Sequence, residues 1–87
     1  MAANEFELNV TRARALADVA SDVQSRYDDM QSRVAMYAGY LAEEMEKPEE
    51  ERNRWQVDDY NDSIRLFQMQ ADLWEGFLKA LKKKLIA

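Results

Sequence analysis

The chain has 87 residues, the size of a single small domain, because two separate cores would leave each with too few residues to bury. Its 17 Asp and Glu outnumber its 12 Lys and Arg, and the net charge of −5 argues against direct binding of nucleic-acid phosphates. The chain contains no Cys and no His, which excludes disulfides, thiolate zinc sites and histidine bases. We therefore expect a non-enzymatic protein that carries no cofactor.

The first residues do not look like a targeting segment. Glu5 and Glu7 lie where a secretory signal has basic and apolar residues. No stretch approaches the roughly 18 apolar residues of a membrane span. The sequence therefore predicts a cytoplasmic protein with no transmembrane segment.

A first long helix is predicted over about 5–46. Asn4 with Glu7 has the spacing of a capping box, and Asn9 or Thr11 offers a later start. Apolar residues then recur in steps of three and four, which is typical of the seam of a coiled-coil-like helix. The seam consists of Ala13, Leu16, Ala20, Val23, Tyr27, Met30, Val34, Tyr37 and Leu41.

A turn at about 46–49 and a second helix over about 49–85 complete the predicted single domain, 1–87. Pro48 suits the first position of a helix, and the three glutamates after it suit the positive end of a helix dipole. The second helix repeats the seam with Val57, Tyr60, Ile64, Phe67, Ala71, Trp74, Leu78, Leu81 and Leu85.

The fold class is therefore all-α, a long antiparallel helical hairpin, with a three-helix bundle or an oligomeric helical bundle as alternatives. Arms of about 40 residues predict a rod on the order of 60 Å long. One pairing of the seams sets Tyr27 beside Trp74 and brings Asp18 and Asp22 near Lys83 and Lys79. A slip of one heptad sets Ala20 beside Trp74, and both registers remain open. A three-helix monomer would need a break in the first helix, near Gly39 or between Asn9 and Leu16.

The second helix carries more apolar residues than one seam can bury. Three of them fall away from the seam and Phe77 lies at its edge, so that helix is apolar on nearly every side. Monomers seldom leave such a surface in water, which predicts a protein partner or a homo-oligomer. The predicted partner-binding residues, with two additions from the first helix, are Leu66, Met69, Leu73, Phe77, Met36 and Tyr40.

Acidic residues concentrate around the turn, where nine acids against three bases leave six net negative charges. Such a tip could imitate a phosphate track, although turns and helix ends also tolerate acids in general. In size and charge the chain resembles small acidic phage-encoded inhibitors. The tip residues are Glu43, Glu44, Glu46, Glu49, Glu50, Glu51, Asp58, Asp59 and Asp62.

No arrangement of catalytic or metal-binding residues stands out. The serines have no histidine to activate them, and Asp58, Asp59 and Asp62 lack the glycine and closing glutamate of a calcium loop. The leading interpretation is a non-enzymatic interaction or assembly module. The alternative is an inhibitor that blocks a nucleic-acid-processing enzyme through the acidic tip.

Overall fold

A computed structural model describes the backbone of residues 2–86 and the side chains of residues 5–84. Helix α1 runs over Ala2–Glu46, a 3-10 turn occupies Glu49–Glu51, and helix α2 runs over Arg54–Ile86. The two helices pack against each other as a hairpin, and no strand occurs in the described backbone. The predicted all-α hairpin is confirmed.

The hairpin is a thin rod that measures 75 × 16 × 14 Å. Its radius of gyration is 20.4 Å, whereas a compact domain of this length would have a value of about 12 Å. The rod is longer than predicted because α1 alone, with 45 residues, spans about 68 Å at 1.5 Å per residue. A shape this thin leaves most side chains in contact with solvent.

Helix α1 begins earlier than predicted and has no break. The helix is already formed at Ala2, so Asn9 and Thr11 are helical, and the Thr11 hydroxyl donates a hydrogen bond of 2.9 Å to the Glu7 carbonyl. The capping side chain predicted at Asn4 lies outside the described residues. The helix also continues through Gly39, so neither break that a three-helix monomer requires is present.

The predicted seams form the contact between the helices. Every described seam residue is buried or half-buried except Ala13, which is exposed, and Leu85 lies outside the described side chains. The packing is nevertheless shallow, because one helix covers only one side of its neighbour. Within residues 5–84 the only buried apolar side chains are Val23, Ala71, Leu78 and Leu81.

Aromatic contacts show which register the seams adopt. The Tyr37 and Phe67 rings stack with centroids 5.7 Å apart, and the Tyr37 and Tyr60 centroids are 6.2 Å apart. A slip of one heptad would place Phe67 beside Tyr27, about 15 Å along α1 from Tyr37. The hairpin therefore adopts the register that pairs Tyr27 with Trp74.

The ion pairs expected with that register do not form. Asp22 pairs with Arg26 at 3.4 Å and Lys79 pairs with Glu75 at 3.0 Å, each within its own helix. A partner four residues away on the same helix is reached without bending across the seam, so the local pairs prevail.

The connection is longer than the predicted turn, and α2 begins at Arg54 rather than near residue 49. Pro48 starts the 3-10 turn, and Arg52 then adopts an extended conformation that ends it. Asn53 caps α2, since its side-chain oxygen accepts a hydrogen bond of 3.2 Å from the Gln56 N–H. The proline and the glutamates that follow it therefore belong to the connection.

Candidate interaction surface

The four α2 residues predicted to bind a partner are all exposed, and Leu73 is the most exposed of them at 73%. Successive steps of three and four residues keep Leu66, Met69 and Leu73 on one face, with Phe77 beside them. We call Leu66, Met69, Leu73 and Phe77 the outer stripe. Because the seam faces α1, the outer stripe faces solvent along the middle of α2.

The two residues added from α1 have different surroundings. Met36 is an exposed α1 residue that falls outside the seam. Tyr40 is 43% exposed, but its ring meets Tyr37 edge-on at 5.9 Å and Tyr60 at 5.7 Å. Tyr40 is therefore partly committed to the aromatic packing between the helices, and less than half of its surface is exposed.

A shallow groove adjoins the outer stripe and is lined by Gln70, Leu73, Trp74 and Phe77. Trp74 joins the groove to the core, since it packs against the cluster of Val23, Leu78 and Leu81 and meets Phe77 at 6.5 Å. The apolar surface of the outer stripe is thus continuous with the interior of the hairpin.

Two arginines of α1 cover aromatic rings of α2. The Arg26 guanidinium lies 5.5 Å from the Trp74 ring centroid, and the Arg33 guanidinium lies 5.4 Å from that of Phe67. Each arginine also pairs with an aspartate of the preceding turn, which holds its side chain in place. These cation–π contacts close one edge of the seam but leave the outer stripe uncovered.

The acidic tip is exposed except at one residue. Glu44, which the sequence predicts as part of the charged surface, is only 5% exposed. Its Oε1 accepts a 2.7 Å hydrogen bond from the Asn53 backbone N–H, and its Oε2 lies 2.9 Å from Lys47 Nζ. Glu44 is therefore a structural residue of the connection, and its place on the tip surface is corrected.

These contacts also change how Glu44 titrates. The hydrogen bond from the Asn53 backbone, followed by that from Lys47, lowers the pKa of the Glu44 carboxyl. The same interaction raises the pKa of Lys47. Both groups are held in their charged forms at neutral pH.

Arg52 fastens the connection to the end of α1. Its Nε donates to the Lys47 carbonyl at 2.8 Å, and its second guanidinium nitrogen donates to the Met45 carbonyl at 2.9 Å. The last carbonyls of a helix have no partner within the helix, so a guanidinium there satisfies them and suits the negative end of the dipole. Arg52 and Glu44 together tie the connection to both helices.

Trp55 is an exposed apolar residue that the sequence interpretation missed. It is 75% exposed at the first turn of α2, more than any other large apolar side chain described. It lies eleven residues before Leu66, about three helical turns, and so falls on the same face as the outer stripe. That spacing was available from the sequence, but the residue stood beside the predicted turn and away from the apolar run.

The described part of the chain has neither a cluster of metal ligands nor a membrane-spanning helix. Among its residues, no group of three His, Cys, Asp or Glu side chains is placed to hold a metal ion, and this includes the aspartates at the start of α2. Within the same residues, neither helix contains a segment with the length and hydropathy needed to cross a bilayer. The outer stripe and the acidic tip remain the candidate surfaces.

Comparison with protein-family models, with curated proteins and with solved structures found no match to this chain. The surfaces of the hairpin are therefore the evidence for its function.

Proposed function

We propose that this protein is a non-enzymatic assembly module that associates with other protein chains through the outer stripe. The observation that carries the proposal is the exposure of Leu66, Met69, Leu73 and Phe77 along one face of α2. A contiguous apolar surface of this kind marks a protein contact in soluble proteins. The shallow core adds support, because a two-helix rod gains stability when a further helix covers its open side.

A partner helix is the simplest occupant of this surface. The outer stripe repeats the three-and-four spacing that a helix presents to a neighbour, and its groove is lined by aromatic and aliphatic side chains. Aromatic and methionine residues are enriched in the buried centres of interfaces. The expected product is a helical bundle in which α2 contacts α1 on one side and the partner on the other.

The first test is the solution mass of the purified chain over a concentration series in low and high salt. An apolar contact predicts a species of at least twice 10.2 kDa that persists in high salt. The variant with Leu66→Gln and Leu73→Gln should lose it. A matched control changes two exposed polar residues of α2, Asn61→Gln and Lys82→Gln, and should keep it.

A photocrosslinker then identifies chains that touch the surface. Benzoylphenylalanine at Leu73 should form adducts, with the purified protein or in an extract of its native cells, that are not formed with benzoylphenylalanine at Asp72. The proposal would be contradicted by a chain that stays monomeric and forms no adduct specific to position 73.

The acidic tip is a second candidate surface, and the exposure of Trp55 among its carboxylates favours it. Tryptophans that anchor interfaces combine a large apolar area with a polar N–H. In this alternative the tip blocks a basic site on a nucleic-acid-processing enzyme. Binding through Glu49, Glu50 and Glu51 should weaken steeply with salt, whereas association through the outer stripe should not.

A further inference from the structure

We infer that the partner on the outer stripe is a second copy of this chain, with the two α2 helices antiparallel. The inference rests on the proposed function and adds the identity and the orientation of the partner. The order of charged, apolar and small residues along the solvent-facing side of α2 supports it.

The solvent-facing side of α2 forms a second heptad-like row beyond the outer stripe itself. Steps of four and three residues connect Asp59, Asp62, Leu66, Met69, Leu73, Gly76, Ala80 and Lys83. Such a row twists with the helix in the way that a second helix can follow over its whole length. After Trp55, which precedes Asp59 by four residues on the same face, the row is first acidic, then apolar in its middle and basic at its end.

When two copies of the row lie antiparallel, the acidic end of each lies opposite the basic end of the other. A two-fold axis at the height of Ala71 brings Met69 of one copy opposite Leu73 of the other, and Leu66 opposite Gly76 and beside Phe77. The same axis sets Asp58 alongside Lys83 and Asp59 alongside Lys84, each pair on one flank of the contact. In a parallel pair the three aspartates would face aspartates and the lysines would face lysines. Charge complementarity therefore selects the antiparallel order.

Gly76 fits a close approach of the second copy. A Cβ at this position would meet no atom within 4 Å, so the packing of the hairpin does not require glycine there. In the antiparallel arrangement Leu66 of the other copy lies over Gly76, and a large side chain against a small one lets two helices pack closely. The helix thus has a glycine where the second copy would occupy the space.

The experiment uses the absence of cysteine from the chain. Asp59→Cys and Lys84→Cys are made as separate proteins, mixed at concentrations up to about 1 mM, oxidised, and separated by intact mass. The two positions are about 38 Å apart along one helix. Antiparallel copies should therefore give at least ten times more mixed adduct than either self-adduct. Asn61→Cys with Lys82→Cys is the control: in the same arrangement these two positions are as level with each other as the test pair, but they lie off the row and should give little adduct.

Charge reversal gives an independent measurement. The variant Asp58→Lys with Asp59→Lys, and the variant Lys83→Glu with Lys84→Glu, should each dimerise at least tenfold more weakly at low salt. The variant with all four changes should regain dimerisation, because opposite charges again meet in the antiparallel order.

The outcomes separate this inference from the proposed function. Association in which the Asp59→Cys protein forms mainly self-adducts would overturn the antiparallel order and leave the apolar contact standing. A chain that stays monomeric while Leu73 crosslinks to a foreign protein would overturn the second copy as the partner. Absence of both association and crosslinking would overturn both proposals together.

Discussion

The Glu44 carboxylate accepts a hydrogen bond of 2.7 Å from the backbone N–H of Asn53, nine residues further along the chain. That bond joins the last turn of α1 to the residue that caps α2. Lys47 lies 2.9 Å from the other oxygen of the same carboxylate. The hairpin is therefore closed by a charged group that is almost completely shielded from solvent.

This closure predicts a pH-dependent stability. The folded pKa of Glu44 lies below its unfolded value, so its contacts stabilise the hairpin above about pH 4.3 and are lost as pH falls through the folded pKa. Glu44→Gln should destabilise the protein at neutral pH, and the difference from the parent should shrink on acidification. Thermal melts at fixed protein concentration measure this difference. An equal difference at every pH would contradict the role of the ionised carboxylate.

The seam and the outer stripe should respond differently to the same truncation. Leu78 is 6% exposed in the core cluster, so Leu78→Ala should lower the free energy of unfolding by about 2–4 kcal/mol. Leu73 is exposed, so Leu73→Ala should change that free energy by less than about 0.5 kcal/mol when measured on the dissociated chain. Urea melts at low protein concentration compare the two variants. Equal losses would show that Leu73 belongs to the core.

Gly39 should be replaceable with a gain in stability. It lies inside α1, its φ is not positive, and a Cβ there would meet no atom within 4 Å. Gly39→Ala should therefore raise the free energy of unfolding by up to about 1 kcal/mol, which corresponds to roughly 4–8 °C in melting temperature. The reverse change at the exposed neighbour, Ala38→Gly, should lower it by a similar amount. A loss of stability in Gly39→Ala would indicate that a partner approaches α1 closely at this point.

The contact between Arg33 and Phe67 should contribute a measurable coupling. The guanidinium lies 5.4 Å from the ring centroid, a geometry worth about 0.5–1 kcal/mol at a partly exposed position. A double-mutant cycle with Arg33→Ala and Phe67→Leu isolates this coupling from the pair that Arg33 forms with Asp29. A coupling energy near zero would mean that the arginine shields the ring without attracting it.

The sequence by itself determined the helical fold, the break near Pro48, and the faces of the two helices that meet. These properties are local, because a helix repeats every 3.6 residues and the spacing of apolar residues therefore sets the buried face wherever the helix lies. The exposure of the outer stripe was predictable for the same reason. Once Ala71 and Leu78 face α1, Leu66 and Leu73 have to face away from it.

Only the tertiary structure decided the register, the start of α2 and the position of Glu44. Both registers pair apolar residues with apolar residues, so the choice depends on the sum of many small differences across the seam, such as the stacking of Tyr37 on Phe67. The register fixes the offset between the facing ends of the two helices, and the connection has to span it. Pro48 and the three glutamates belong to that connection and therefore lie outside α2. The Glu44 carboxylate can be shielded from solvent because the Asn53 backbone N–H and the Lys47 ammonium bind it. Whether these groups reach Glu44 depends on where the chain turns.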